Sequence, residues 1–360
     1  MINSKCDLTI NLNIIAQNYL LLKKLCPQSQ VSAVVKANCY GLGIKDIAPI
    51  LYNHDCRHFF VANYEEGIDL RNIIGNDANI YILNGFFQSE ANILIAHNLI
   101  PVIFNLEQAM IWQQHSIILN KKLKCIIHVN TGLNRLDMSS IDFNKFIKIG
   151  FKELDILYIM SHLASSEEAD NISNKIQLDK FLQLTNVIPY FKKTIANSGG
   201  ILLGKEYHLD LVRPGAALYG INIHLSYNFQ NPIELKAPII QLNELKIGES
   251  VGYNWTFTNT NNKSCQIATI SIGYADGLPR DLSNVGTTYI NGFKAPIVGL
   301  ISMDSTIIDV SNVPKEHLFF EQKVEIIGKN NKLCHIACDA HTSEYEVLTR
   351  LGARLNRIYI

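Results

Sequence analysis

The chain has 360 residues, of which 48% are hydrophobic, so it can bury a sizeable core and favours two domains over one. Its 32 basic and 32 acidic residues cancel, which leaves no surplus positive charge for the phosphates of nucleic acid or of an anionic membrane. A small molecule is therefore the expected ligand. The N-terminus lacks the apolar stretch of a signal peptide, and no later window has the roughly 18 apolar residues of a membrane span, which predicts a cytoplasmic protein.

The eight cysteines are scattered and form no CxxC pair, which predicts free thiols in a reducing compartment. Cys334, His335 and Cys338 stand close enough in sequence to suggest a metal site. Buried cysteine more often acts as a small hydrophobe, so we predict no metal here.

Short apolar runs alternate with longer amphipathic segments over the first part of the chain. The runs cover 31–35, 59–62, 80–83, 101–104, 125–129, 156–160, 194–196 and 211–212, and helix candidates cover 13–25, 44–52, 65–74, 143–149 and 173–191. Eight strand-helix units predict a (β/α)8 barrel over residues 1–235.

From about Leu235 the pattern changes to short strand-like runs separated by Asn, Gly and Pro. These runs cover 266–272, 295–298, 306–310 and 323–327. The pattern predicts a separate, mainly β domain over residues 236–360.

Polar residues follow the eight apolar runs: Lys36, Asn63, Asn84, Asn105, Asn130, His162, Asn197 and Arg213. In a (β/α)8 barrel these positions lie at the carboxyl ends of the strands, where active sites are built. Asparagine also ends strands and makes turns, so both interpretations stay open for the first three asparagines. Lysine, histidine and arginine are not turn residues, which makes Lys36, His162 and Arg213 the stronger candidates.

Lys36 ends an apolar run and is followed by Tyr40 and a glycine-containing turn. A lysine whose stem lies in an apolar barrel mouth is desolvated, which lowers its pKa and favours imine formation with an aldehyde. A lone lysine at a strand end is more often a surface residue. The turns at 197–200 and 213–216 offer a hydroxyl and backbone amides after the seventh and eighth strands, where barrels often bind phosphate.

Several motifs in a fixed order resemble the alanine racemases, which are barrel-type enzymes dependent on pyridoxal 5'-phosphate. They are Val-Lys-Ala-Asn-Cys-Tyr-Gly-Leu-Gly at 35–43, Asn-Ser at 197–198, Val-Arg-Pro-Gly at 212–215, Leu-Tyr-Gly at 218–220, Gly-Tyr-Ala-Asp-Gly at 273–277, Met-Asp at 303–304 and Tyr-Glu-Val-Leu-Thr at 345–349. The resemblance covers nearly the whole chain.

The resemblance implies that Lys36 carries the cofactor. Its phosphate would be held by Tyr40, Ser198, Tyr345 and the amides of Gly215 and Ala216. Arg213 would face the pyridine nitrogen, with His162 and Asn197 helping to orient it. A guanidinium there keeps the nitrogen unprotonated, which weakens the ring as an electron sink and disfavours transamination.

Racemisation needs a second base opposite Lys36, and the resemblance assigns that role to Tyr253 of the partner subunit in a head-to-tail homodimer. Arg135 would contact the cofactor and the substrate carboxylate, the Met303 amide would bind that carboxylate across the interface, and Tyr274 and Asp304 would line the entrance. The implied reaction interconverts L- and D-alanine and supplies D-alanine for peptidoglycan.

One motif departs from the family. Where many members carry a carbamylated lysine before the active-site arginine, this chain has His128, followed by the uncharged Asn130. We expect Arg135 to need another anion, such as chloride, held by Arg135 and the amide of Asn130.

Two alternatives remain at this point. A barrel-type amino-acid decarboxylase would pair the pyridine nitrogen with an acidic residue, whereas Arg213 stands there. A non-enzymatic protein that binds the cofactor and serves its homeostasis is usually a barrel alone, so residues 236–360, with Tyr253 among them, count against it.

Overall fold

The computed structural model describes residues 6–221, 227 and 229–360. Within these limits the chain forms two compact units. A barrel unit contains residues 15–39 and 43–230, and a β unit contains residues 6–14, 40–42 and 231–360.

Parallel strands form the core of the barrel unit. They are β2 (Gln30–Val31), β3 (Ala33–Val34), β4 (His58–Val61), β5 (Asn79–Ile82), β6 (Ile100–Ile103), β7 (Leu123–His128), β8 (Leu154–Met160), β9 (Lys193–Thr194) and β10 (Leu211–Val212). Strands β3 to β9 follow one another in a seven-stranded sheet, and β10 pairs with β2. Arg213 N donates to Ala196 O (2.9 Å) and Val34 N to Pro214 O (2.9 Å), so β10 joins both ends of the sheet. The predicted eight-stranded barrel is confirmed, with β2 and β3 as one interrupted strand.

Helices of the barrel unit follow the strands. They are α1 (Leu12–Leu25), α2 (Lys36–Tyr40), α3 (Ile44–Asn53), α4 (Tyr64–Ile74), α5 (Ala91–Ala96), α6 (Leu106–Ile118), α7 (Ser140–Ile149), α8 (Ile172–Thr185) and α9 (Ser198–Leu203). Side-chain oxygens of Asn63 and Asn105 accept from the amides of Glu66 (3.1 Å) and Gln108 (2.8 Å), so both residues are helix N-caps. Helix α8 stops at Thr185, short of the predicted 191, ahead of β-branched residues and Pro189, which disfavour helix.

The β unit has ten strands among its described residues. They are β1 (Asp7–Ile10), β11 (Ile233–Leu245), β12 (Ser250–Val251), β13 (Phe257–Thr258), β14 (Cys265–Ile270), β15 (Thr287–Ile290), β16 (Phe293–Pro296), β17 (Thr306–Asp309), β18 (Lys323–Ile327) and β19 (Asn356–Tyr359), with helices α10 (Leu333–Asp339) and α11 (Glu344–Arg350). The main sheet has the order β16-β15-β18-β11-β1-β19, and β14 pairs with both β11 and β17.

The β unit includes β1, which the sequence-based division had placed in the barrel domain at 1–235. Strand β1 pairs antiparallel with β11 and parallel with β19, and its Leu8 and Ile10 are fully buried. The boundary near residue 235 therefore describes the later part of the chain, while β1 belongs with the β sheet because its hydrogen bonds and apolar face are satisfied there.

All eight cysteines are free, as predicted, and only Cys334 and Cys338 are exposed. Those two lie on α10 with His335, and among the described residues no three potential ligands are grouped as a metal site would require. Nor does that part of the chain contain a helix long and apolar enough to cross a bilayer.

Candidate active site

Lys36 begins α2, a short turn whose backbone is left-handed. Residues 37–40 have φ between 52° and 57°, a conformation that is unfavourable by about 1–2 kcal/mol for each L-residue. Asn38 stabilises the far end, since its carbonyl accepts from Gly43 N (2.9 Å) and its side chain from Ile44 N (2.8 Å). At the near end, Ala37 N donates to Oε1 of Glu66 at 2.7 Å. Tertiary contacts therefore impose this conformation on the residues after Lys36.

The Lys36 amine is half-buried beside charged groups. Burial is the main cause that lowers its pKa; the positive charge of Arg135 lowers it further, and the negative charge of Glu66 opposes both effects. A lowered pKa leaves more of the amine unprotonated, as imine formation and proton abstraction require. This electrostatic environment agrees with the role expected from the sequence.

Arg213 follows β10 and is only 3% exposed. Its guanidinium donates to Thr194 Oγ1 (2.5 Å), to the carbonyls of Ser161 (2.7 Å) and Ile195 (3.3 Å), and to Nδ1 of His162 (3.3 Å). Burial lowers the pKa of Arg213 to about 9, so the group stays protonated at neutral pH. No carboxylate is among these partners, and the cation is held by neutral acceptors.

His162 follows β8 and lies against Arg213. Since Arg213 donates to Nδ1, the ring carries its proton on Nε2. Burial, together with the positive charges of Arg213, Arg135 and Lys36 and the neighbouring His128, holds the pKa of His162 well below its usual range. The structure thus brings Lys36, Arg135, His162 and Arg213 into one electrostatic cluster around a neutral imidazole.

The turn after β9 and the turn after β10 lie side by side. Asn197 caps α9 by accepting from Gly200 N (2.9 Å), and Ser198 Oγ accepts from Gly215 N (3.0 Å) and Ala217 N (3.2 Å). A Cβ at Gly199 would lie 2.5 Å from the Ser166 carbonyl, so this close approach requires glycine.

The two amides expected to bind phosphate differ in this structure. The Gly215 amide is engaged by Ser198, whereas the Ala216 amide makes no hydrogen bond among the described residues. The Gly215 amide therefore already donates to the Ser198 hydroxyl in this structure, and the binding of phosphate by both amides stays a prediction.

Two tyrosines with predicted phosphate roles meet within the β unit. The rings of Tyr40 and Tyr345 have centroids 6.1 Å apart, and Tyr40 is buried. Gly41 has φ 85°, and a Cβ there would lie 2.5 Å from the Leu348 carbonyl. This glycine therefore allows Tyr40 and the helix carrying Tyr345 to approach closely.

Three other predicted residues of the β unit line one cleft. Tyr253, Tyr274 and Met303 border a volume of about 810 Å³, together with Arg280 and Arg350. The side chain of Tyr253 is 66% exposed, and the Met303 amide makes no hydrogen bond among the described residues.

Asp304 is not part of that lining and pairs with Arg354 at 2.7 Å. Arg354 also contacts Asp276 at 2.8 Å. Asp304 therefore lies in a small ion-pair network.

The structure corrects the anion expectation at the position of the family's carbamylated lysine. The Asn130 amide donates to the Met138 carbonyl (2.9 Å), so it is not available to an anion. Arg135 is exposed, so the cost of a buried, unpaired cation does not arise within the single chain. Burial and the charges of Arg213 and Arg135 lower the pKa of His128 to about 3, so this residue is neutral. Its buried Nε2 has no hydrogen-bond partner in the described structure.

Two residues of the site were not found from the sequence. Glu66 stands three residues after the N-cap Asn63, a spacing that indicates a helix cap and gives no hint of a contact with Ala37. Gln177 lies mid-helix, where polar side chains are usually solvated. Its amide nitrogen donates to Thr131 Oγ1 (3.2 Å) and to the His162 carbonyl (3.0 Å).

Two family models together match nearly the whole chain. The family model for the alanine racemase N-terminal domain matches residues 10–223, and the model for the C-terminal domain matches residues 232–359. The chain belongs to the alanine racemase family. The alanine racemase of Rickettsia canadensis is 49% identical over 358 residues, covering 99% of each sequence.

Two solved alanine racemases are similar over 99% of both chains. The Bartonella henselae enzyme, solved with covalently bound pyridoxal phosphate, is 40% identical with a TM-score of 0.95. The biosynthetic enzyme of Pseudomonas aeruginosa is 30% identical with a TM-score of 0.90. The resemblance seen in the sequence is confirmed, and membership of the alanine racemases, which are isomerases, decides against the decarboxylase and the homeostasis protein.

Proposed function

We propose that this chain interconverts L- and D-alanine with pyridoxal 5'-phosphate carried by Lys36. The observation that supports it most is the buried Arg213–His162 contact in the same electrostatic cluster as the Lys36 amine, whose pKa is lowered. This arrangement supports the role that the family resemblance implies for Arg213, a guanidinium facing the cofactor's ring nitrogen.

The residues present fit the cofactor. Lys36 offers a desolvated amine to an aldehyde, and Arg213 offers a guanidinium to the ring nitrogen. The phosphate would be held by the Ser198 hydroxyl, the Ala216 amide, Tyr40 and Tyr345. At Gly199, next to Ser198, the close approach of Ser166 leaves no room for a side chain. When bound, the cofactor withdraws electrons from the amino acid and acidifies its Cα hydrogen.

Inversion at Cα needs one proton removed from one face and another delivered to the opposite face. Lys36 would serve one face through Nζ, and Tyr253 of the partner subunit would serve the other through its phenol oxygen. Arg135 and the amide of Met303 of the partner subunit would bind the substrate carboxylate. The exposed Tyr253 and the free Met303 amide, both at one cleft, support a shared site in a homodimer. The corresponding physiological role is to make D-alanine for peptidoglycan in the cytoplasm.

The test is complementation between Lys36→Ala and Tyr253→Phe. Each variant alone should lose racemisation in both directions, because each lacks one of the two bases. After subunit exchange, mixed dimers should regain about one working site. Tyr190→Phe serves as the control, since this tyrosine is 76% exposed on the barrel unit and should be dispensable. D-alanine formation and borohydride trapping of cofactor on the Lys36 peptide are the measurements.

Substantial activity of Lys36→Ala alone would refute the proposal as a whole. Lack of recovery after confirmed subunit exchange would refute only the shared site.

A further inference from the structure

Glu66 connects two backbone segments next to Lys36. Its Oε1 accepts from the amide of Ala37 at 2.7 Å, and its Oε2 accepts from the amide of Ala62 at 2.8 Å. Ala37 directly follows Lys36, and Ala62 directly follows β4, the strand beside β3. One carboxylate therefore holds the ends of two adjacent barrel strands.

Helix capping alone does not explain this geometry. Asn63 already caps α4 by accepting from Glu66 N at 3.1 Å, and this capping bond does not use the Glu66 side chain. Glu65, in the same first turn, is exposed, and its carboxylate accepts from neither amide. Both residues experience the helix dipole, but only Glu66 reaches the turn of Lys36.

The hydrogen bond from Ala37 to Glu66 lies at the start of the strained backbone segment. Ala37 is the first of four residues in the left-handed region, and its amide is the one that Glu66 binds. One charge-assisted hydrogen bond holds the turn at Ala37, and the second anchors the same carboxylate at Ala62, so the pair resists relaxation of the turn toward ordinary backbone angles. The same carboxylate supplies the negative charge that opposes Arg135 at the Lys36 amine.

We propose that Glu66 is a positioning residue that fixes the turn after Lys36 and keeps its amine aimed into the site throughout the catalytic cycle. This role rests on the proposed function of Lys36. In this role Glu66 acts through the backbone amides that it binds and through its charge.

Three variants separate the effect of the Glu66 hydrogen bonds from the effect of its charge. Glu66→Gln keeps the length but removes the charge, and its amide can accept at only one of two positions. Glu66→Asp keeps the charge but is one methylene too short to reach both amides. Glu65→Gln removes the same charge from the same helix turn and is the matched control.

Two measurements use apo-protein and need no turnover. Competitive acetylation of Lys36 across pH, read by mass spectrometry, reports the protonation of its amine. Hydrogen exchange of the Ala37 amide reports whether the turn is held. The third measurement is the pH profile of kcat and KM for alanine in the holoenzyme.

In Glu66→Gln the acetylation midpoint should move to lower pH by about one unit, because a negative charge beside the amine is lost. Ala37 exchange should accelerate at least tenfold in both Glu66 variants. Their kcat should fall more than their KM changes, while Glu65→Gln should match wild type in all three measurements.

Unchanged acetylation in Glu66→Gln and unchanged Ala37 exchange in both variants would overturn the inference, even if kcat fell. If wild type did not racemise alanine, the proposed function would fail while acetylation and exchange still reported on Glu66. The two failures are therefore distinguishable.

Discussion

Two buried arginines of the barrel unit have different hydrogen-bond partners. Arg71 is 7% exposed and donates to the carbonyls of Gly75, Ala78, His97 and Asn98. It therefore binds carbonyls that follow the C-terminal ends of α4 and α5. Arg213, 3% exposed, also bonds neutral acceptors, but one of them is the imidazole of His162. Burial and hydrogen bonding alone therefore do not distinguish a structural arginine from one at the site.

Lysine substitution at both positions should separate the roles. A hydrogen bond to a charged group contributes about 1.5–3 kcal/mol, and lysine cannot reproduce the planar set of donors, so both variants should lose at least that much stability. Only Arg213→Lys should also weaken cofactor binding, by roughly tenfold or more. Urea unfolding of apo-protein and cofactor titration by absorbance measure the two effects. Equal cofactor affinity in the two variants would contradict the role of Arg213.

At the scale of single residues, residue type and position after a strand made Lys36, His162 and Arg213 candidates, and the family resemblance supplied the roles of His162 and Arg213. The sequence did not predict the engaged Gly215 amide or the exposed Arg135, because both depend on how loops fold back onto each other. Family resemblance specifies which residue types recur, but not which hydrogen bonds they already make.

The left-handed helix α2 is the element least expected from local sequence. Alanine, cysteine and tyrosine disfavour positive φ, and only Asn38 tolerates it well. Apolar runs predicted the barrel strands because burial on both faces leaves a clear pattern. No comparable pattern marks α2, whose backbone is held by the bond from Glu66, distant in sequence, and by the bonds that Asn38 accepts.

Asn38 provides a test of that strain. Asn38→Ala should lower the free energy of unfolding by about 1–2 kcal/mol, because alanine is disfavoured at φ 53° and the bond to Ile44 N is lost. Asn38→Gly loses the same bond but suits the backbone, so it should be less destabilising. This order reverses the one seen in ordinary helices, where alanine is favoured over glycine. Urea denaturation of both variants decides the matter; a less stable glycine variant would argue against strain.

Acid should destabilise the whole molecule through three histidines of the barrel unit. Burial and neighbouring charges lower the pKa of His58 to about 4 and of His128 to about 3, and they hold that of His162 well below its usual range. Below the ordinary histidine value of about 6.5, the unfolded chain binds protons that the native chain does not, so stability falls as pH falls. Above that value these groups contribute no pH dependence.

Each such histidine contributes up to about 1.4 kcal/mol per pH unit in this window. We expect the free energy of unfolding to decline between pH 6.5 and 4.5. In His58→Phe the slope of this decline should be smaller by up to about 1.4 kcal/mol per pH unit, which corresponds to one proton. Urea unfolding at intervals of one pH unit gives the slope. An identical slope in the variant would show that His58 titrates alike in both states.

Strand β1 has a consequence for how the chain is made. It lies between β11 and β19 in the β sheet, and its partner in β19 is 349 residues away, as in the contact of Asp7 with Asn356. Ribosomes add about 5–20 residues each second, so β1 emerges roughly 20–70 s before β19 exists. During most of that interval its buried leucine and isoleucine lack both neighbouring strands, because β11 begins only at Ile233. The β unit therefore completes its sheet only after β19 has been synthesised, whereas the barrel strands can pair in the order in which they appear.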